Sequence, residues 1–572
     1  MRWIRTKLEL LASLLALGAV ALLAAPLGCN AAMRAPIPAA HGDDDATPRR
    51  GGTLRLASNF DLRNLDPAAP PDGLAGQVFP LLFDGLVDFD REGHVVPNLA
   101  DHWDVEEGGT LYRFTLRSGV VMHDGGELTA DDVKRSVERS LHPSTPSGVS
   151  AYFEGITGYA AYTSGKAEHL EGVTVEGRYV VSFRLRQADA AFLSLLALPA
   201  MRPVCATAGD RFARGWLPCG AGPFLLEQGG WQRGTSLRVV RHQAYFRPGL
   251  PYLDAIEWTL GMQSVPQRFR FEDGEFDLLF DPLQADYVRF MADHRWSPLG
   301  VPLFENTTWG ESMNTRLSPF DNVELRRAVA AAIDREQFPR IKPANMSVSN
   351  QLLPRSMPGF DPAWACQPHD EKAALEHMRK AGYPFDPATG TGGWPHPISY
   401  AIPEQSTNFF VAQIVQQQLA RIGIRIELRL MNLPAYWAVS ERPDGTQMAP
   451  WGNQADYADP SAFFDPLFTT AAISPESSTN VPFYSNPRYD DLVARARHEM
   501  DGSARKALYH QAHEILCDEA PWAFTWAQRD FVVRQAYVKG FAAHPIWPLD
   551  LRGVWLDRVD PGLEHALGGG LR

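Results

Sequence analysis

Apolar and polar positions alternate along this chain in two periods, one of strands and one of helices. Gly52-Thr-Leu-Arg-Leu-Ala-Ser58 alternates with period two, so ordered structure is expected to begin there with a half-buried strand. Leu111-Tyr-Arg-Phe-Thr-Leu116 alternates cleanly, and residues 173–177 and 179–185 read as a strand pair joined by a turn. Residues 120–128, with His123-Asp-Gly inside them, read as a turn region. Thr129-Ala-Asp-Asp132 is a capping box that opens a helix with Val133, Val137 and Leu141 on one face. A second box is expected at Asp321-Asn-Val-Glu324, followed by Leu325, Ala328, Val329, Ala332 and Ile333 at helical spacing. Phe410, Ile414, Val415, Leu419 and Ile422 form another helical face, and Gly423 is placed to cap that helix. Residues 424–430 then alternate as a half-buried strand. Residues 503–519 read as a helix and 522–533 as a strand leading out of it. A β-rich first part followed by alternating helix and strand predicts an α/β protein of two lobes. Extended segments near 295–310 and 520–535 are expected to link the lobes and act as a hinge.

At 572 residues the chain is too long for one ordinary core. A hydrophobic content of 45% with 21% charged residues is that of a soluble globular protein. The net charge is −13, with no long like-charge runs, which argues against a nucleic-acid partner and favours neutral or cationic ligands. The start is a targeting signal: Arg2, Arg5 and Lys7 precede an apolar run from Leu10 to Leu27, and Gly28-Cys29 follows. Cys29 fits a lipidation site, and plain cleavage or an uncleaved anchor are the other two ends such a leader has. All three export the rest of the chain. Residues 30–50 are rich in Ala, Pro and Asp and read as a disordered spacer. Beyond Cys29 the cysteines are Cys205, Cys219, Cys366 and Cys517, which suits an oxidising compartment. Cys205 and Cys219 flank a short loop and are the expected disulfide; the alternative is a set of free, buried thiols.

The candidate chemistry lies at Trp451-Gly-Asn-Gln-Ala-Asp-Tyr-Ala-Asp-Pro460. The carboxylate of Asp456, among Trp451, Tyr457 and small residues, suits a cationic ligand group. Asp456 is the candidate anchor, with Trp451, Asn453, Gln454 and Tyr457 as neighbouring contacts. There is no Gly-x-Ser-x-Gly elbow and no His-Glu-x-x-His, and His513-Glu-Ile-Leu-Cys517 has Cys at the second ligand position. A hydrolase is therefore disfavoured, and with no compact His cluster neither a metal nor a cofactor is expected.

Several segments together resemble one family. They are Pro97-Asn-Leu-Ala-Asp-His-Trp103, Tyr112-Arg-Phe-Thr-Leu-Arg running into His123-Asp-Gly and Leu128-Thr-Ala-Asp-Asp-Val133, Gly220-Ala-Gly-Pro-Phe224, the stretch from Pro319 to Ala328, and Tyr484-Ser-Asn-Pro-Arg-Tyr-Asp490. In this order they resemble the peptide/nickel class of substrate-binding proteins of ATP-binding-cassette importers, from Gly51 to about Gly562. The resemblance implies a two-lobed periplasmic-binding-protein fold with an extra subdomain. The first lobe would be 51–300 plus 530–572, with the extra subdomain at about 86–216, and the second lobe 301–529. It implies a monomeric receptor that encloses an extended peptide and hands it to a permease and its ATPases, touching the membrane only through its leader. Asp456 matches the position that pairs with the ligand's α-amino group. Where dipeptide binders of this group carry an Arg, this chain has Phe409-Phe410, which points to a longer peptide or a cationic ligand without a carboxylate. Tyr152 falls in a loop of the extra subdomain that often touches ligand, and His123 reads as structural. Haem, nickel, opine and oligosaccharide ligands, and a peptide-sensing role without import, remain open within the class.

Overall fold

The computed structural model describes residues 47–69, 74–145, 147–208, 217–404, 406–544, 546–547 and 549–558. The expected leader, Cys29 and most of the spacer lie outside them. Three sheets organise two α/β lobes. In the first lobe, Thr53–Ala57 buries Leu54 and Leu56 and pairs in parallel with Ala255–Thr259. Ser236–Arg241 and then Phe224–Gln232 extend that sheet antiparallel. A second, antiparallel sheet runs in the order Ala100–Glu106, Leu111–Leu116, Val180–Arg184, Val173–Gly177. Tyr112, Phe114 and Leu116 turn inward from it, as the alternation predicted, and Leu111 at the strand's start is buried as well. Helix Ala130–Leu141 packs against this sheet through Val133, Val137 and Leu141. Its first turn is closed by Asp132, which accepts the Thr129 N–H at 2.9 Å.

The third sheet joins the lobes. Two long antiparallel strands, Gly300–Met313 and Trp522–Arg534, run through it. At one end Trp522–Arg534 pairs with Leu278–Phe280 of the first lobe; further along, Gly300–Met313 pairs with Met448–Gln454 of the second. Ile398–Pro403 and Ile426–Met431 complete the far side in parallel. The ladder between the two crossing strands shifts register at Pro302/Glu305, Glu305/Thr307 and Trp309/Gly310. Such irregularities bend a strand pair and concentrate the twist where the lobes meet. Past Arg534 the chain returns to the first lobe, where Val538, Leu551, Val554 and Leu556 share a core with Leu54 and Phe83. The core of the inserted segment, Leu86 to Met201, is continuous with Ala455–Phe468 and helix Gly502–Glu519, which sequence reading assigns to the second lobe.

Three local expectations are corrected. Helix Val323–Ala332 is capped by Asn322, whose Oδ1 accepts the Glu324 N–H at 2.9 Å, and not by Asp321. With the cap one residue later, Glu324 falls short of the reciprocal position and instead binds Arg327 and His377. In helix Ser406–Ala420 the buried face is Val411, Ala412, Val415 and Leu419, and Phe410 is 50% exposed. Asn408, three residues before Val411, is 3% exposed and lies on the same inward face. The strand after Gly423 begins at Ile426, and Leu430 near its end is 51% exposed. That strand lies at the sheet edge, so one of its faces is only partly covered.

Cys205 and Cys219 form the expected disulfide, closing a separation of 14 residues. Cys366 and Cys517 form a second across 151 residues, tying the end of a loop to helix Gly502–Glu519. His513 of that helix points Nε2 at the Trp364 carbonyl, 3.0 Å away, and at Cys517 Sγ, 3.3 Å away.

Glu311, on the first crossing strand, is 1% exposed and accepts a hydrogen bond from Tyr400. Burial pushes its pKa up to about 7, and the Tyr400 bond offsets this only partly. A carboxyl raised on folding stabilises the fold below its unfolded pKa, and that contribution is lost as pH rises through its folded pKa. Glu311→Gln, which keeps an acceptor for Tyr400, is therefore expected to gain on the native protein by roughly 2 kcal/mol between pH 5 and pH 8.5. Urea unfolding of both at the two pH values reads this; a difference that does not grow with pH would refute it.

Candidate functional site: the interlobe cleft

Strand Met448–Gln454 carries Trp451, Asn453 and Gln454 to the crossing strands, and Asp456 follows in the loop before helix Ser461–Phe468. The Ala455 N–H donates to the Asn306 carbonyl at 2.9 Å, so the loop stays stitched to the hinge. Asp456 is reached by solvent, yet the protein crowds around its carboxyl, and this desolvation raises its pKa from the ordinary value. One partner opposes the shift: Tyr152 Oη donates to Asp456 Oδ2 at 2.9 Å. Tyr152 sits on the short turn Ser150–Phe153 of the inserted segment, 304 residues away in sequence. The pair therefore joins two segments that the sequence reading places in different lobes.

The other sequence candidates separate. The Tyr457 ring lies under Tyr152, edge to face at 5.6 Å; it is 3% exposed and its Oη meets Ser461 Oγ at 3.0 Å. It props the Tyr152–Asp456 pair from below. Asn453 donates to the Ala462 carbonyl at 2.9 Å and so fixes the helix behind the loop. Trp451 is half-buried and stacks on Tyr436 at 6.1 Å. Gln454 is exposed to the hinge side. Phe409 and Phe410 lie side by side on helix Ser406–Ala420, rings 6.1 Å apart, with Phe410 turned to solvent. His123 receives the Gly220 N–H on Nδ1 at 3.2 Å and places Nε2 3.0 Å from the Gly222 carbonyl. Burial brings its pKa down to about 4, so it is a neutral lock on the turn.

Two features escaped the sequence. One is a clasp beside the Tyr152–Asp456 pair. Arg497 is held between Asp189 of the inserted segment, at 3.1 Å, and Asp465, at 3.0 Å. The Ala190 N–H also donates to the Arg497 carbonyl at 2.9 Å. The other is a polar pocket at the crossing strands, bounded by Asn306, Thr307, Gln454, Gln528, Asp530 and His544. It had a signal: Gln528-Arg-Asp530 interrupts an otherwise apolar strand.

Residues 94–475 match the family model of bacterial extracellular solute-binding proteins, family 5. The chain belongs to this family. Family 5 relatives include the glutathione-binding protein GsiB of Shigella flexneri and that of Escherichia coli K12. Each is 27% identical over 479 residues, spanning 82% of this chain and 87% of the relative. Among solved structures, the clavulanic acid biosynthesis oligopeptide binding protein 2 superposes with a TM-score of 0.79 at 24% identity, over 90% of this chain and 96% of that one. The unliganded open form of the periplasmic murein tripeptide binding protein MppA gives 0.74 at 22%, over 89% and 98%. The DppA protein of Helicobacter pylori in complex with peptide STSA gives 0.70 at 24%, over 89% and 99%. These likenesses establish the two-lobed binding-protein fold, and the relatives are binding proteins by name. Among the described residues no helix is long and apolar enough to cross a membrane.

Proposed function

We propose that this family 5 protein is an exported receptor that encloses a peptide between its lobes and delivers it to an ATP-binding-cassette permease and its ATPases. The observation that carries the reading is the Asp456–Tyr152 pair. A carboxylate has about four acceptor sites, and the Tyr152 hydroxyl takes one. A partly desolvated carboxylate gains most from a cation that replaces lost water, and a peptide's terminal ammonium is such a cation. Contacts made to both lobes at once favour the closed arrangement, because only they distinguish it from the open one. The crossing strands with their register shifts are the element that bends. Residues 51–300 with 530–572 make one lobe in this reading and 301–529 the other. The protein works as a monomer without a cofactor, attached to the membrane only through its leader or a lipid on Cys29. Phe409 and Phe410, in place of a carboxylate-binding Arg, fit a peptide longer than two residues.

Thermal unfolding of the refolded, ligand-stripped protein against di- to hexapeptides tests this. A peptide at 100 times its dissociation constant adds about 2.7 kcal/mol, read as a raised melting temperature. No shift with any peptide would overturn the peptide assignment and leave the fold standing.

A further inference from the structure

The pocket at the crossing strands has the chemistry of a second recognition element. Thr307, Gln454 and Gln528 are register partners on three adjacent strands, so their side chains share one face of the sheet. Asp530 follows two residues after Gln528 on that face. His544 closes the pocket from the first lobe, and Gln454 belongs to the second. The cavity is about 30 Å³, room for about two water-sized groups and so for the charged head of a side chain.

Its charge is one-sided. Asp530 forms no ion pair among the described residues. Burial is the first cause that lifts its pKa, to about 6, and the neighbouring Asp281 adds to it; a bond from Gln528 and the field of Lys342 pull the other way. At neutral pH the group is therefore ionised, short of water, and without a cation bound to it. Arg529, beside it in sequence, directs its guanidinium to the carbonyls of Pro343 and Ala344 at 3.1 Å. His544 supplies no charge either. Its Nε2 meets the Phe89 carbonyl at 3.2 Å, Nδ1 receives the N–H groups of Ile546 and Trp547, and burial lowers its pKa. The remaining walls are amides, a hydroxyl and Leu303. Gln528 is held in place by the Trp309 indole, which donates to its Oε1 at 3.3 Å. Trp309 in turn stacks on Trp526 at 5.0 Å, so the pocket floor is rigid.

We propose that this pocket selects a basic side chain of the bound peptide, with Asp530 as its counter-ion and the amides of Gln454 and Gln528 as further partners. The inference rests on the peptide reading above and adds a preference to it: one carboxylate, Asp456, takes the terminal ammonium, and a second, Asp530, takes a side-chain cation. A ligand so held touches the hinge strands and both lobes.

The test uses matched tripeptides, Ala-Lys-Ala, Ala-norleucine-Ala and Ala-Glu-Ala, with the lysine placed in turn at each position. Norleucine keeps the length and apolar stem and lacks only the ammonium. Isothermal titration of the ligand-stripped protein is expected to show at least one lysine peptide binding about tenfold or more tightly than its norleucine match, with the glutamate peptide weaker than both. In Asp530→Asn that preference is expected to vanish while the norleucine peptide binds as it does to the native protein, which also shows that the variant is folded. Equal affinity for lysine and norleucine peptides at every position, or a preference that survives in Asp530→Asn, would overturn the assignment and leave the peptide receptor intact. Should Asp530→Asn fail to fold, the native comparison of lysine with norleucine decides by itself. Binding of none of the peptides would overturn the peptide reading, and this inference with it.

Discussion

Replacing Arg552 with methionine is expected to cost the fold about 3–5 kcal/mol. Arg552 lies in the tail that returns to the first lobe after the second crossing strand. Its guanidinium binds Asp88 on the short strand Val87–Phe89 and Asp550, the latter at 2.8 Å. Asp88 also accepts the indole N–H of Trp547 at 3.0 Å, and that ring carries Arg202 over its face at 4.6 Å. Arg202 donates to the Phe83 carbonyl at 2.7 Å. Burial alone would raise the Asp88 pKa, but Arg552 and Arg202 outweigh it and hold the carboxyl far below its usual range. The Asp88 and Arg552 side chains are only 4% and 14% exposed. Methionine retains much of the volume and removes the charge, so Asp88 and Asp550 lose their main counter-ion inside the protein. The cost is that of stranded charge, which exceeds the worth of an exposed ion pair several-fold. Urea unfolding followed by tryptophan fluorescence measures it. A loss below about 1 kcal/mol would show that the network is slack. Because a group with a depressed pKa gives up its stabilisation as pH falls through its folded value, native and variant protein should converge only in strong acid.

How much of this was legible beforehand follows the range of each interaction. Leu54, Leu56, Val133, Val137 and the alternation from Leu111 to Leu116 are local patterns, and the structure buries them as periodicity demands. The capping box at Thr129 needs only four consecutive residues. The box expected at Asp321 failed by a single position, because Asn322 competes with Asp321 for the same role and wins it. Phe410 misled for a similar reason: helical spacing fits Phe410 and Val411 almost equally, and contacts elsewhere choose between them. Asp456 could be named from its surroundings in the chain, but its partner could not, since Tyr152 is 304 residues away. The Asp189–Arg497 clasp is 308 residues long in sequence and equally invisible. The Cys366–Cys517 bridge stayed open because its halves lie 151 residues apart and free, buried thiols were the alternative. The hinge pocket needs four separate segments brought together, and only the polar break at Gln528-Arg-Asp530 hinted at it.

The Asp456 anchor carries the second large expectation. Asp456→Asn keeps the size and an acceptor for Tyr152 but removes the charge, so a bound ammonium loses its counter-ion. Truncating one member of a desolvated charge pair costs about 2–5 kcal/mol of affinity, tens to thousands of fold. The fold should be little affected, because the carboxyl is already raised by its surroundings and forms no ion pair among the described residues. Its neighbour Tyr457 gives a contrast. That ring is buried under the pair, so Tyr457→Ala should lower stability as well as binding.

The most direct measurement is isothermal titration of the ligand-stripped native protein and Asp456→Asn with one binding peptide in two forms, free at its amino terminus and acetylated there. The account predicts tight binding only for the free peptide on the native protein, with acetylation and Asp456→Asn each removing most of the affinity and the two losses failing to add. Acetylated peptide bound as tightly as free peptide, or an Asp456→Asn protein with undiminished affinity, would contradict it.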